Sequence, residues 1–233
     1  MKLQGIVGKG SGKLGVSVWA VRKGEQIVRE YNGKVNNPKS ASQTQQRAKF
    51  KLMSQLSAIF GKVIAMPAEG NVSMRNKFTS ENIGSVTFAE GTATITLTDI
   101  KLTKSIVASP AVVPTATANS VSVGLAEGDE ELDAVVYIFM RKTQDNLLRY
   151  VASTMYTTPG ADNRYVYGRS MGAGDYMVYA YGIRYNTELG RVNFENITVP
   201  TAENVAKLIA QRVVTSADYT LTETVSAPFT VGA

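Results

Sequence analysis

The chain reads as an α+β protein: an N-terminal β-hairpin and helix, then an antiparallel β-sandwich with a C-terminal helix and strand. Three observations predict this. Residues 14–31 alternate in character with a period of two, residues 41–65 switch to a crowded helical pattern, and from about residue 84 short alternating runs recur. The predicted division is a basic hairpin-helix module over 1–82 and a β-sandwich domain with a C-terminal helix over 83–233.

In the first run Leu14, Val16, Val18 and Ala20 share one face, and Arg22-Lys23-Gly24-Glu25 leads into a second strand from Gln26 to Tyr31, which makes a hairpin. Asn36-Asn37-Pro38-Lys39 breaks it, because proline disfavours helix in the residue before it and Asn-Pro favours a turn. Ser42 with Gln45, or Ser40 with Gln43, then has capping-box spacing, so a helix is predicted at about 41–65. Its apolar residues, from Ala48 and Phe50 through Met53 and Leu56 to Phe60, Val63 and Ile64, wrap most of the cylinder. Such a helix is either sandwiched inside the domain or packed on another subunit.

Ser85-Val86-Thr87-Phe88 and residues 92–98 return to alternation, and Pro110 and Pro114 mark residues 109–114 as a linker or an edge strand. Further strands are predicted at about 120–126, 133–141, 147–156, 164–170, 176–185 and 191–196. Within the fifth of these, Gly174-Asp175-Tyr176 resembles the late strand of immunoglobulin-like sandwiches, which makes the predicted sandwich immunoglobulin-like. There a Gly-Asp turn precedes an inward tyrosine that bonds back to the turn backbone. Alternation then puts Tyr176 and Val178 inward and Tyr179, Tyr181 and Tyr185 on the other face. That row is either a contact surface, since tyrosine buries a large area at low entropic cost, or covered by a second layer. After Pro200, Thr201 caps a helix with Val205, Leu208, Ile209 and Val213 as its apolar stripe. A last alternating stretch over 219–225 returns to a sheet, and Ser226-Ala227-Pro228 is a candidate extended arm.

Charge divides the chain. Residues 1–78 hold fourteen basic and three acidic side chains, a net of +11, whereas the other 155 residues carry a net of −5, giving +6 overall. This asymmetry favours contact with a polyanion or head-to-tail contact between copies. Lys9, Lys13, Arg29, Lys34, Lys39, Arg47, Lys49 and Lys51 are the candidate interface or polyanion-contact residues, against the alternative of a solvated helix face near a turn. The acidic run from Glu127 to Asp133 lacks EF-hand spacing and reads as a hairpin turn or as the partner of another subunit's basic segment.

Histidine and cysteine are both absent. Their absence removes imidazole general bases, thiolate nucleophiles, disulfides and the commonest zinc ligands, so only carboxylate, lysine or tyrosine chemistry remains. No pair of carboxylates stands out for glycoside hydrolysis, and no residue is assigned to catalysis, a cofactor or a metal. Gly10-Ser11-Gly12-Lys13-Leu14-Gly15 satisfies G-x-G-x-x-G, but its glycines precede a β-like run and open no helix, so the phosphate-loop context fails. Trp19 is the sole tryptophan, and no aromatic ladder interleaves the basic residues as single-strand binding would want. The first residues lack the apolar run of about 7–15 residues of a signal peptide, and no stretch approaches the roughly 18 apolar residues of a membrane span. The expectation is a soluble chain made in the cytoplasm, with no membrane partner.

Gly5-Ile6-Val7-Gly8-Lys9 through Lys13-Leu14-Gly15, then residues 24–29, then Asn37, Pro38, Ser40, Gln43 and Arg47 at ungapped spacing form one block. This block resembles a pattern of uncharacterised proteins of gut Bacteroidota and their bacteriophages, including crAss-like phages. It covers roughly the first 65 residues. The resemblance implies a virion structural protein that oligomerises as a capsid, head-to-tail connector or tail component. Its partners would be copies of itself and other virion proteins. The alternative expectation is a sequence-independent nucleic-acid-binding protein whose basic module neutralises backbone phosphate, packaged nucleic acid being its partner.

Overall fold

The computed structural model describes residues 11–22, 24–33, 39–67, 72–105, 107–108, 112–116, 121–125, 132–143, 148–157, 164–167 and 171–232. The chain separates into two compact units, Met1–Gln43 and Thr44–Ala233, so the division falls at the start of the first helix and not after residue 82.

The first unit contains a three-stranded antiparallel sheet, β1 (Gly12–Leu14), β2 (Ser17–Arg22) and β3 (Glu25–Glu30), in that order. Leu14 pairs with Ser17 across a two-residue turn whose Gly15 has φ +58°, a conformation glycine adopts without a Cβ clash. Gly12 and Gly15 of the nominal nucleotide motif therefore serve a strand and a hairpin turn, while Gly10 lies outside the described residues. Ser40 accepts the Gln43 amide at 3.3 Å and caps α1 (Ala41–Ile59).

That helix ends six residues before the expected terminus. A Cβ on Gly61 would lie 2.8 Å from the Ser57 carbonyl, and residues 64–67 are neither helix nor strand, with the Ala65 amide donating to the Leu102 carbonyl at 2.9 Å. The crowded apolar pattern is explained by this ending. Phe60, Val63 and Ile64 are buried in the segment after the helix, while on the helix itself only Met53, Leu56 and Ser57 are buried.

The remainder of the second unit runs α2 (Met74–Asn82), the small hairpin β4 (Thr87–Ala89) and β5 (Thr92–Thr94), β6 (Val112–Ala116), β7 (Val121–Leu125), β8 (Ala134–Lys142), β9 (Leu148–Tyr156), β10 (Arg164–Tyr167), β11 (Gly174–Tyr185), α3 (Glu188–Glu195), α4 (Ala202–Ala210), β12 (Tyr219–Leu221) and β13 (Val225–Val231). β6, with Pro114 in it, is an edge strand of the three-stranded sheet β10-β7-β6, as proline requires. The five-stranded sheet runs β12-β11-β8-β9, with β13 beside the other half of β11. Every strand pairing is antiparallel.

β8 and β11 are buried on both faces. On one face Val135, Tyr137, Phe139, Tyr176 and Val178 pack with Phe229 of β13 and Ala116 of β6. On the other, Val136, Ile138, Met177, Tyr179 and Tyr181 pack with Met53, Phe60, Phe78, Phe194, Val205 and Ile209, so helices and the segment after α1 cover it. Each fully buried aliphatic or aromatic side chain contributes about 1.5–3 kcal/mol of transfer free energy.

Three further expectations are corrected here. Residues 191–196, expected as a strand, belong largely to α3, because the Thr187 hydroxyl accepts the Gly190 amide at 3.1 Å and Glu188 pairs with Arg191 one turn on. Val213 lies beyond α4 and is exposed, while Ala202 and Ala206 complete the buried stripe with Val205 and Ile209. The Ser226-Ala227-Pro228 stretch is no free arm: it lies within β13, where Ala227 pairs with Val178 and Pro228 with Met177.

Candidate functional site

Of the eight basic candidates, Lys9 and Lys34 lie outside the described residues. Lys13 sits in β1 with its ammonium 3.7 Å from the centroid of the Tyr31 ring, a cation–π contact. Arg29 is exposed on β3 opposite Val18, and Lys39 is exposed just ahead of the Ser40 cap. On α1, Arg47 and Lys51 stand one turn apart on one exposed face, but Lys49 is turned about 160–200° away and half-buried. No common phosphate-binding face is formed by the three helical cations.

The sheet of the first unit has an unusual surface. Val16 (76%), Tyr31 (44%), Val21 (42%) and Ile27 (39%) are exposed, and Gln26 is the only fully buried side chain among the described residues of this unit. Trp19 is half-buried, and its indole N–H, itself shielded from solvent, has no acceptor. Apolar side chains thus alternate with Lys13, Arg22 and Arg29 on a small sheet that encloses no hydrophobic core of its own among these residues.

The tyrosine row is covered. Tyr179 and Tyr181 are fully buried and Tyr185 is half-buried, so of the two expectations, contact surface or covered layer, the row is the covered layer. Tyr179 packs edge-on against Phe60 at 5.3 Å and donates its hydroxyl to the Leu97 carbonyl at 2.8 Å; Tyr185 stacks on Phe194 at 5.7 Å. Burial pushes the Tyr179 and Tyr181 hydroxyls up, and burial followed by the Glu195 and Asp133 carboxylates pushes Tyr185 up to about 12. All three are neutral at physiological pH. The inward tyrosine does what the Gly-Asp motif predicts: Tyr176 is buried and donates to the Gly172 carbonyl at 2.6 Å.

The acidic run falls largely outside the described residues; its last member, Asp133, accepts the Tyr185 amide at 2.7 Å. No group of three or more Asp or Glu side chains able to hold a metal stands together among the described residues. No described helix is long and apolar enough to cross a membrane.

Two arginines escaped the sequence reading. Arg141 of β8 and Arg149 of β9 are paired directly across the ladder, and both are exposed. With strands predicted at 133–141 and 147–156, a tight hairpin centred near residue 145 brings them together, but the sequence alone does not fix where the hairpin is centred. No family model matches the chain, and no curated protein matches it.

Proposed function

We propose that the chain is a bacteriophage virion structural protein that oligomerises as a capsid, connector or tail component, with its first unit as the assembly element. The observation that carries this reading is the sheet β1-β2-β3. A three-stranded sheet is stable when its apolar face is covered, and here Val16, Val21, Ile27 and Tyr31 are exposed among cations. Another copy supplies the apolar complement, and the acidic side chains of its second unit, which equal the basic ones in number at seventeen each, supply partners for the cations. The second unit then acts as a rigid body that presents its outer surface. Its two larger antiparallel sheets and the Tyr176 bond to Gly172 support the reading of this unit as an immunoglobulin-like sandwich.

The test is absolute mass by light scattering after size exclusion, in about 0.1 M and about 1 M salt, where the screening length falls from roughly 10 to roughly 3 Å. Nucleic-acid absorbance is recorded on the same peak. A discrete multimer free of nucleic acid is expected. A monomer that sheds nucleic acid only in high salt would transfer the assignment to phosphate-backbone binding through Arg47, Lys51 and their neighbours. A clean monomer in both salts would exclude self-assembly of the isolated chain.

A further inference from the structure

Arg141, Arg149, Tyr150, Val151, Met171 and Tyr176, with Gly172, line a cleft of about 320 Å³ at one end of the five-stranded sheet. Its floor is a cross-strand row. Tyr176 of β11 pairs with Arg141 of β8, which pairs with Arg149 of β9, so all three side chains issue from the same face. Like charges placed directly opposite one another destabilise an antiparallel pair. No carboxylate among the described residues lines the cleft to offset this repulsion.

Arg141 is held in place. Its Nη2 donates to the Ala173 carbonyl at 2.8 Å, its guanidinium carbon lies 5.8 Å from the centre of the Tyr176 ring, and it rests against Gly174. A Cβ at residue 174 would fall 3.2 Å from its Nε and Nη2, so the absence of a side chain there keeps the guanidinium seated. Arg149 is exposed and makes no hydrogen bond or ion pair among the described residues. Two residues beyond Arg149, β9 bulges: Phe139 pairs with Ala152 but Met140 with Tyr150, which leaves Val151 without a partner. Such bulges bend a strand and re-aim its side chains, and they recur beside binding sites.

From this arrangement we infer that the cleft binds one oxyanion group, a phosphate or a carboxylate, between the Arg141 and Arg149 guanidinium groups. Arg141 supplies a preoriented donor set of which one N–H is already committed to Ala173; Arg149 supplies a free fork. Bound negative charge would relieve the arginine–arginine repulsion, so binding and sheet stability are linked. The volume falls at the small end of the range that holds small ligands, roughly 300–1,000 Å³, and suits a group of this size on a small molecule. This site is independent of the assembly reading, since none of its residues belongs to the first unit.

The experiment is calorimetric titration of the full chain with inorganic phosphate and, separately, with citrate, each at ionic strength matched with chloride. The expected result is saturable one-site binding of at least one of the two, with the preferred anion identifying phosphate or carboxylate as the occupant. Arg149→Ala, which removes a side chain without partners among the described residues, should leave the circular dichroism spectrum and melting temperature of the anion-free protein unchanged or slightly improved. It should weaken binding roughly tenfold or more, and Arg149→Lys should fall between, because it keeps the charge and loses the fork. Absence of saturable heat from both anions, or equal affinities for wild type and Arg149→Ala, would overturn the proposal.

Discussion

Asp218 is the residue on which the end of β11 and the start of α3 are fastened. Its Oδ2 accepts the Thr215 amide and the Thr215 hydroxyl, each at 2.8 Å, its Oδ1 accepts the Thr187 hydroxyl at 2.9 Å, and its carbonyl accepts the Asn186 amide at 2.9 Å. The Thr215 amide, then the two hydroxyls, hold its carboxyl below the ordinary aspartate value of 3.8. A depressed folded value means that the carboxylate stabilises the fold above the unfolded value, and that this contribution disappears as pH falls through the folded one. Asp218→Asn should therefore be less stable than wild type near pH 7, and the gap should narrow by about pH 2.5, in urea unfolding at the two pH values. Gly190 packs against the same residue: a Cβ there would lie 2.2 Å from the Asp218 carbonyl oxygen, a backbone atom that cannot swing aside. Gly190→Ala should cost about 2–3 kcal/mol, whereas Gly84→Ala, which meets nothing within 4 Å, should stay within about 0.5 kcal/mol in the same assay.

Helix starts were the most legible elements, because an N-cap is a local bargain between one hydroxyl and one orphan amide. Ser40 and Thr201 were both marked by sequence, and they accept the amides of Gln43 and Asn204 at 3.3 and 3.4 Å. Thr201→Ala should lower stability by about 1 kcal/mol. Thr187→Ala should lower it by more, because that hydroxyl both caps α3 and donates to Asp218; thermal unfolding of the two variants side by side checks the order. α3 itself was missed, although Thr187 and Glu188 are ordinary start signals, because the preceding alternating run carried the strand pattern onward. The sequence leaves the tyrosine row open between a contact surface and a covered layer. Alternation separates two faces of a strand but does not say what lies on the second one. The better signal was next door: residues 135–140 of β8 are an unbroken run of Val, Tyr, Ile, Phe and Met, which marks a strand covered on both sides. The Arg141–Arg149 pair lies on the turn side of the bulge at Val151, and it went unread because the two predicted strands leave the centre of their hairpin open.

At the scale of the molecule, the net positive charge lies in the first unit: Met1–Gln43 carries eight basic and two acidic side chains, whereas Thr44–Ala233 carries seventeen of each. Both hydrophobic clusters draw their buried members from Met53 onward. A chain beginning at residue 39 should therefore melt cooperatively within about 3 °C of the full-length protein by scanning calorimetry. Loss of the cooperative transition would show instead that the first unit supports the fold. The charge asymmetry was legible at once, because it needs only counting. Its division into separate structural bodies was not, because the helix that seemed to belong with the hairpin gives its buried side chains to the sheet of the second unit.

The position of β11 in the chain sets a problem for the cell. β11 pairs with β8, β12 and β13, yet β8 is made well before it. From Met140 to Tyr176, translation at about 5–20 residues per second takes roughly two to seven seconds. During that interval the nascent β8–β9 hairpin offers a bare edge and a strand that is apolar on both faces. A growing polypeptide in that state is a natural client for chaperones at the ribosome, and a message cut short before codon 174 should yield an insoluble product, however well the complete protein folds.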